Sequence, residues 1–211
     1  MKTAPRSLTR ETLHFATGEL ASRDQLLAEI RDRLGTPPMW GRRPGFATLV
    51  RIILEQQVSL VAARTLYRRL EAHLGGMTAA HVAAASVTGL REFGLTRQKA
   101  GYCHGLALRV LDGRLGLAAV ARAGDEAGRS ALLAVPGLGP WSVDIYWLMA
   151  LRRPDVWPTG DLALAVVLRD LKRMKHLPRA DEQQRLARQW SPWRSVAARM
   201  LWAHYLDARR P

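Results

Sequence analysis

Asp161 is the residue of this sequence best suited to chemistry at a centre that becomes positively charged. It follows a short loop and directly precedes the apolar run at residues 162–168. An aspartate in front of an apolar helix is commonly an N-cap, whose carboxylate accepts backbone N–H groups. The positive end of that helix would also keep the carboxylate ionised. An ionised carboxylate can stabilise the charge that develops on a sugar as an N-glycosidic bond breaks, and can orient or deprotonate the attacking water.

A glycine turn precedes this aspartate by about twenty residues. The sequence Val135-Pro136-Gly137-Leu138-Gly139-Pro140 is typical of a turn between two helices that holds an anion. Glycine allows a positive φ angle and a close approach of another backbone, and Pro140 suits the first turn of a helix. We expect the N–H groups of Gly137, Gly139 and Trp141 to point outward and to bind one phosphate, a contact that reads no sequence. An ordinary tight turn between helices is the alternative.

The charge of the chain favours a nucleic-acid partner. The chain has 211 residues and a formal net charge of +14, and 28 of its 32 basic residues are arginine. Arginine binds phosphate through a planar fork of donors, although an arginine bias also follows from genome base composition. Nearly all the excess lies in residues 37–211, which hold 26 basic and 13 acidic residues. A basic body attracts polyanions, and nucleic acid first among them.

Composition disfavours several other classes of protein. No apolar run approaches the roughly 20 residues that cross a membrane, and the N-terminus lacks the apolar block of a signal peptide. Cys103 is the only cysteine of the sequence, which excludes a disulfide framework and a multi-cysteine metal or iron–sulfur site. We therefore expect a cytoplasmic protein without an iron–sulfur cluster.

Hydrophobic periodicity predicts an all-α protein of about ten short helices. Residues 1–21 show no clear pattern, and Thr3, Pro5, Ser7 and Thr9 suggest an extended or frayed start. Ser22 with Gln25 is typical of a capping box that opens the first clear helix. A single helix is predicted over residues 141–151, and helix is favoured over strand for the valine-rich run at residues 162–171. The residues predicted to cap further helices are Ser59, Thr78, Thr88 and Thr96, and Pro192 is predicted to begin the last helix.

Three motifs in a fixed order resemble the helix-hairpin-helix DNA glycosylases, most closely the bacterial 3-methyladenine DNA glycosylase II group. The first motif is FATLVRIILEQQVS at residues 46–59, and the second is the glycine turn followed by Asp161. The third is WSPWRS at residues 190–195, leading to Trp202. The resemblance covers roughly residues 37–207. It implies an all-α, two-lobed fold with the active site in a cleft between the lobes.

The resemblance implies roles for several residues that hold DNA. Asp161 matches the family's catalytic aspartate. Gly137 and Gly139 match backbone contacts to phosphate, and Ser142 matches a neighbouring hydroxyl contact. Gln57 falls where the family inserts a side chain into the minor groove to fill the hole left by a flipped base, and its neighbour Gln56 is also assigned to DNA binding. A polar loop residue is the alternative role for Gln57.

The resemblance also implies a base pocket and a cation site. Trp141 and Trp202 match aromatic residues that line the pocket, although core packing is the commoner role of tryptophan at helical spacing. Ile145 and Leu162 match pocket positions that are aromatic in better-known members, so a wider, less aromatic pocket is expected. Backbone carbonyls near three residues match a loop that often holds a sodium or potassium ion in the family: Leu133, Val135 and Leu138.

The residue at one position separates two kinds of chemistry within the family. Members that also cut the DNA backbone carry a lysine where this chain has Trp141. The resemblance therefore implies a monofunctional enzyme that uses water and needs no cofactor. Its substrate would be double-stranded DNA containing alkylated purines of the 3-methyladenine and 7-methylguanine type. A cationic purine leaves readily, and electron-rich indoles attract it. The expected enzyme is a monomer that associates with the nucleoid.

The expected domain division follows from the same resemblance. Residues 45–140 would form a middle helical lobe that includes the hairpin, and residues 1–44 with 141–211 would form the second lobe. The N-terminal segment is too short for the extra α/β domain of longer members. Three alternatives remain open: a non-catalytic helix-hairpin-helix module that senses damage, a bifunctional glycosylase/lyase, and a helix-turn-helix regulator.

Overall fold

The computed structural model describes residues 5–209, and within this range the protein is all-α. It contains no β-strand among these residues, which confirms the predicted class. Thirteen α-helices occur in the described range. They are α1 Arg10–Arg23, α2 Gln25–Leu34, α3 Phe46–Glu55, α4 Leu60–Leu74, α5 Ala79–Ala84, α6 Ser86–Glu92, α7 Arg97–Leu111, α8 Leu117–Arg122, α9 Asp125–Leu133, α10 Pro140–Ile145, α11 Leu162–Leu171, α12 Ala180–Ala187 and α13 Arg194–Asp207.

The helices belong to two compact units. One unit is Arg42–Tyr146, and the other combines Met1–Gly41 with Trp147–Pro211. The hairpin helix α10 therefore belongs with the unit Arg42–Tyr146, whereas the sequence-based division had placed residues 141–146 in the other lobe. None of the helices among the described residues is long and apolar enough to cross a membrane.

The unit Arg42–Tyr146 is built around α3 and α7. Helix α3 packs on α4, α7 and α10, and α7 also packs on α5 and α6. The apolar side chains of α3 are covered on almost every side, since Leu49, Ile52, Ile53 and Leu54 are fully buried. The turn that follows α3 is thereby fixed close to the helices that carry the glycine turn.

The other unit packs α13 against α1, α2 and α11. Helix α13 is buried over most of its length, and its residues Val196 to Trp202 are all at most 9% exposed. Because α11 and α13 are adjacent, the residue that begins α11 lies near the side chains of α13. This packing places Asp161 beside Trp202.

Helix α1 was not predicted from the sequence. Of the residues that suggested an extended start, Thr3 lies outside the described residues, and Pro5, Ser7 and Thr9 precede the helix. Residues 10–23 form α1, which the side chain of Thr9 caps by accepting the Thr12 N–H. The helical spacing was hidden because its buried face is carried partly by small and polar residues, namely Leu13, Ala16, Thr17, Leu20 and Ala21.

Two predicted helix caps are also wrong. Asp24, not Ser22, caps α2, because its Oδ1 accepts the N–H groups of Leu26 and Leu27 at 3.0 and 3.3 Å. The Ser22 hydroxyl instead donates to the Glu19 carbonyl within α1. Thr88 lies inside α6, which begins at Ser86. The caps predicted at Ser59, Thr78 and Thr96 are confirmed by their side-chain bonds to backbone N–H groups.

The helix after the glycine turn is not one continuous α-helix. Helix α10 ends at Ile145 and a π-helix spans Tyr146–Ala150. Two carbonyls of that segment accept hydrogen bonds from residues outside the π-helix. Trp147 O accepts a hydrogen bond from the Arg153 N–H, and Leu148 O accepts one from Arg199 Nη2. The last helix begins at Arg194 rather than Pro192. Residues 162–171 are helical as predicted.

Candidate active site

Asp161 is the N-cap of α11. Its Oδ1 accepts the Leu164 N–H at 3.0 Å, and its own N–H donates to the Pro158 carbonyl at 3.2 Å. The residue is 8% exposed. The sequence-based interpretation of Asp161 as a cap is confirmed, and the carboxylate is thereby held at the start of an apolar helix, where the helix dipole favours a negative charge.

Trp202 provides the second contact to this carboxylate. Its Nε1–H donates to the same Oδ1 at 3.2 Å, from helix α13. Trp202 is 9% exposed, so most of its indole packs within the unit. Two N–H donors on one oxygen restrict rotation of the carboxylate and thereby fix the position of its charge.

A further indole lies next to Trp202. Trp40, in the segment between α2 and α3, is half-buried and meets Trp202 edge to face, with ring centroids 6.5 Å apart and an interplanar angle of 68°. Its φ angle is +43°, which is unusual for any residue other than glycine. The guanidinium of Arg199, on α13, donates to the carbonyl of the preceding Met39 at 2.9 Å.

The remaining predicted pocket residues divide between the two units. Leu162 follows Asp161 and is 66% exposed, in the same unit as Trp202. Trp141 and Ile145 belong to α10 in the unit Arg42–Tyr146, where Trp141 is half-buried and Ile145 is 3% exposed.

The glycine turn requires glycine at its first position. Gly137 has a φ angle of +91°, and a Cβ atom there would lie 2.4 Å from Cγ of Tyr102 on α7. Gly139 has a φ angle of −80°, and nothing lies within 4 Å of the position that a Cβ atom would take there. Within residues 5–209, the N–H groups of Gly137 and Gly139 donate to no other protein group. The turn therefore has two N–H groups without a protein acceptor near the start of α10, and the anion site stays a prediction.

Gln56 links the glycine turn to the end of α3. Its Nε2 donates to the Gly137 carbonyl at 2.8 Å and to the Ser142 hydroxyl at 2.9 Å. Ser142 is 2% exposed. The side chains of Gln56 and Ser142 thus have partners inside the protein, and the DNA contacts expected of them stay predictions.

Gln57 occupies the exposed tip of the turn between α3 and α4. Its φ angle is +57°, and its side chain lies on the surface. Lys99, on α7, supports the turn from beneath, because its Nζ donates to the carbonyls of Leu54 and Gln56 at 2.8 Å each. Burial lowers the pKa of Lys99 below its usual value. The backbone that carries the exposed Gln57 side chain is therefore held in place by Lys99.

The carbonyls assigned to a cation belong to the loop before α10. Val135 O accepts the Leu138 N–H at 3.0 Å, and Leu133 lies at the end of α9. Backbone carbonyls are oxygen donors of the kind that hard cations prefer, so the donor set suits a sodium or potassium ion. Among the described residues, no group of three or more histidine, cysteine, aspartate or glutamate side chains could hold a metal ion. The cation site stays a prediction.

The comparison with protein families matches residues 50–192 to the family described as HhH-GPD superfamily base excision DNA repair protein. The matched segment contains the turn after α3, the glycine turn and Asp161. The chain belongs to this superfamily.

Relatives of this HhH-GPD protein include several named DNA-3-methyladenine glycosylases. DNA-3-methyladenine glycosylase 2 of Escherichia coli is 28% identical over 209 residues, covering 92% of this chain and 70% of the relative. YfjP of Bacillus subtilis is 24% identical over 189 residues, covering 86% of this chain and 66% of the relative. DNA-3-methyladenine glycosylase of B. subtilis is 26% identical over 121 residues, covering 57% of this chain and 40% of the relative. The chain thus spans less than two thirds of the two B. subtilis relatives.

Solved structures of the superfamily have the same fold. A Schizosaccharomyces pombe 3-methyladenine DNA glycosylase, Mag1, in complex with abasic DNA superposes with a TM-score of 0.81 at 22% identity, covering 89% of this chain and 94% of that one. A Bacillus halodurans DNA-3-methyladenine glycosidase superposes with a TM-score of 0.74 at 25% identity, covering 92% of this chain and 91% of that one.

Sequence reasoning missed three residues of this HhH-GPD protein, namely Trp40 and Arg199 near Trp202 in one unit and Lys99 at the turn after α3 in the other. Trp40 stood in a segment rich in proline and glycine, and no local pattern connects it with Trp202, which lies 162 positions later in the sequence. Lys99 and Arg199 donate to backbone carbonyls. Every residue has such a carbonyl, so the sequence does not indicate which ones these side chains contact. A tryptophan in a segment otherwise built of turn residues was the only available signal.

Proposed function

We propose that this protein is a monofunctional DNA glycosylase that hydrolyses the N-glycosidic bond of flipped-out alkylated purines in double-stranded DNA, leaving an abasic site. The observation that carries the proposal is the carboxylate of Asp161, held by the Leu164 N–H and Trp202 Nε1 within a base-excision repair superfamily. The names of the relatives support the alkylated purine as the substrate.

The proposed reaction uses the charge of Asp161. The N-glycosidic bond breaks with its electron pair moving to the purine, so a cationic N3- or N7-alkylated purine leaves as a neutral base. Positive charge develops on the sugar, and the nearby carboxylate stabilises it. Water then adds to C1′ and gives up a proton, for which Asp161 is the expected acceptor, directly or through solvent. A cationic purine needs little help from a general acid.

The absence of an amine at the hairpin helix supports hydrolysis rather than lyase chemistry. Trp141 stands where backbone-cutting relatives have lysine. Lys99 is the only lysine of the unit Arg42–Tyr146, which also holds Trp141, and its Nζ donates to two backbone carbonyls. We therefore propose that no covalent protein–DNA intermediate forms, and that borohydride traps no adduct.

The glycine turn is the proposed contact for a DNA phosphate, and Gln57 is the proposed filler of the space left by the flipped base. The turn offers the N–H groups of Gly137 and Gly139 beside the positive end of α10. Gln57 is exposed at a turn whose inner side is fixed by Lys99. Removing a base from the stack costs a few kcal/mol, and a damaged pair costs less.

The experiment that tests the proposal measures free bases released from duplex DNA treated with a methylating agent. Chromatography of the released material is expected to show 3-methyladenine and 7-methylguanine. Binding to DNA without release of either base would mean that the protein is a non-catalytic DNA-binding module. A covalent adduct trapped by borohydride would mean that it is a lyase.

A further inference from the structure

The backbone of Trp40 adopts a conformation that is unfavourable for residues other than glycine. Its φ angle of +43° places a large side chain in the left-handed region. Such a conformation costs roughly 1–3 kcal/mol and persists only where the surroundings determine it strongly, most often at functional sites. The contacts of the Trp40 side chain therefore indicate what this strain maintains.

Arg199 fixes the backbone immediately before Trp40. Its guanidinium is fully buried and donates to the carbonyls of Met39 at 2.9 Å, Leu148 at 2.8 Å and Ser195 at 3.2 Å. Burial lowers the pKa of Arg199 to about 10. A buried guanidinium that binds three carbonyls ties the segment holding Trp40 to α13, one turn before Trp202 on that helix.

The two indoles form a corner beside the proposed catalytic carboxylate. Trp40 and Trp202 meet at 68°, so they do not stack on each other. Trp202 is 9% exposed and its Nε1–H is directed to Asp161, whereas Trp40 is only half-buried. Trp40 is therefore the more exposed tryptophan of this pair.

We propose that Trp40 is a base-contacting residue that selects cationic purines, its indole forming with Trp202 two walls against the flipped base. This inference rests on the proposed function. An electron-rich ring attracts a cation placed over its face, whereas an uncharged purine gains only packing from the same ring. Trp40 thus raises the rate for N-alkylated cationic purines relative to uncharged damaged purines.

The test compares Trp40→Leu, Trp40→Phe and the wild type on two duplex substrates. One contains 7-methylguanine, which is cationic in DNA, and the other contains hypoxanthine, which is neutral. Under single-turnover conditions, Trp40→Leu is expected to release 7-methylguanine roughly 2- to 30-fold more slowly than the wild type. It is expected to change the hypoxanthine rate less, so that the ratio of the two rates falls. Trp40→Phe retains an aromatic face and is expected to release 7-methylguanine at a rate between those of the wild type and Trp40→Leu.

Phe15 provides a matched control in the same unit. It is 51% exposed and meets Trp193 edge to face at 6.3 Å and 75°, in a pair with the same geometry as that of Trp40. Phe15→Leu is expected to lower the melting temperature without changing either rate.

The outcomes separate this inference from the proposed function. A wild type that releases neither base overturns both. If the wild type and Trp40→Leu release 7-methylguanine at the same rate, only the role of Trp40 is overturned. Trp40 would then be a residue that covers Trp202. Equal losses on the cationic and the neutral substrate overturn the selection by charge. If Trp40→Leu does not fold, the same comparisons are made with Trp40→Phe.

Discussion

At the scale of single residues, the account depends on two contacts to one oxygen atom. Asp161 Oδ1 accepts both the Leu164 N–H and Trp202 Nε1. The first contact belongs to the helix cap, and any N-cap aspartate would make it. The second contact joins the carboxylate to Trp202 of α13, the tryptophan that also meets Trp40.

Replacing Trp202 with phenylalanine tests the second contact. Trp202→Phe keeps an aromatic side chain but removes the N–H donor to Asp161. Loss of a hydrogen bond to a charged group is expected to slow base release roughly 10- to 100-fold in single-turnover assays. Trp190→Phe is the matched control, because Trp190 Nε1 donates to Asp24, the cap of α2, at 2.8 Å. The control is expected to lose stability at unchanged rate, and equal losses of rate in both variants would contradict the account.

At the scale of elements, the turn after α3 and the glycine turn form one connected structure. Gln56 Nε2 donates to the Gly137 carbonyl, and Lys99 Nζ donates to the Gln56 carbonyl. Tyr102, on the same helix as Lys99, packs against Gly137. Helix α7 therefore supports both of the surfaces proposed to contact DNA.

Alanine substitutions at the two glycines should have different effects. Gly137→Ala places a Cβ against Tyr102 at a positive φ angle, so the free energy of unfolding is expected to fall by about 1–3 kcal/mol or more. Gly139→Ala has no such conflict, since nothing lies within 4 Å of its Cβ position. It is expected to fold normally and to weaken DNA binding only by crowding the phosphate. Chemical denaturation and duplex-binding titrations measure both effects, and equal stability of the two variants would refute this description of the turn.

Lys99→Met tests the support beneath Gln57. The change removes the donor to the carbonyls of Leu54 and Gln56, and the free energy of unfolding is expected to fall by about 1–3 kcal/mol. Base flipping, followed by the fluorescence of 2-aminopurine beside the lesion, is expected to slow. Lys175→Met removes the same charge at an exposed position and should change stability by less than about 0.5 kcal/mol. Normal flipping in Lys99→Met would show that the turn needs no such support.

The sequence predicts elements whose signals are local and misses contacts between distant segments. Ser59, Thr78 and Thr96 were identified as caps because a hydroxyl before an apolar helix is a local pattern. Helix α1 was missed because its buried face includes threonine and alanine. The function of Asp161 as a cap could be inferred from its neighbours, whereas its contact with Trp202 required the packing of α11 on α13.

At the scale of the whole molecule, the charge of +14 governs the proposed attraction to DNA. Many arginines pair with nearby carboxylates, such as Arg31 with Asp32 and Arg169 with Asp170. Arg64 and Arg68 lie one turn apart on α4 and are exposed, and within residues 5–209 neither forms an ion pair. These two side chains can therefore neutralise phosphates without losing another partner.

Duplex binding is expected to depend steeply on salt. Each phosphate neutralised contributes about −0.9 to the slope of log affinity against log salt concentration. Arg64→Ala combined with Arg68→Ala should reduce the magnitude of the slope by about 2. The control combines Arg31→Ala with Arg169→Ala, which removes the same charge from arginines that already have carboxylate partners. An equal change of slope in both double variants would show that only net charge matters.

The central claim is that Asp161 is a catalyst as well as a helix cap, and Asp161→Asn tests it most directly. Asparagine also caps helices, so the fold is expected to persist while the negative charge is lost. Asp24→Asn is the control, because Asp24 also caps a helix and accepts a tryptophan N–H. Chromatography of bases released from methylated duplex DNA is expected to show no release by Asp161→Asn, with DNA binding kept or strengthened, and normal release by Asp24→Asn. Release of methylated purines by Asp161→Asn at the wild-type rate would contradict the account.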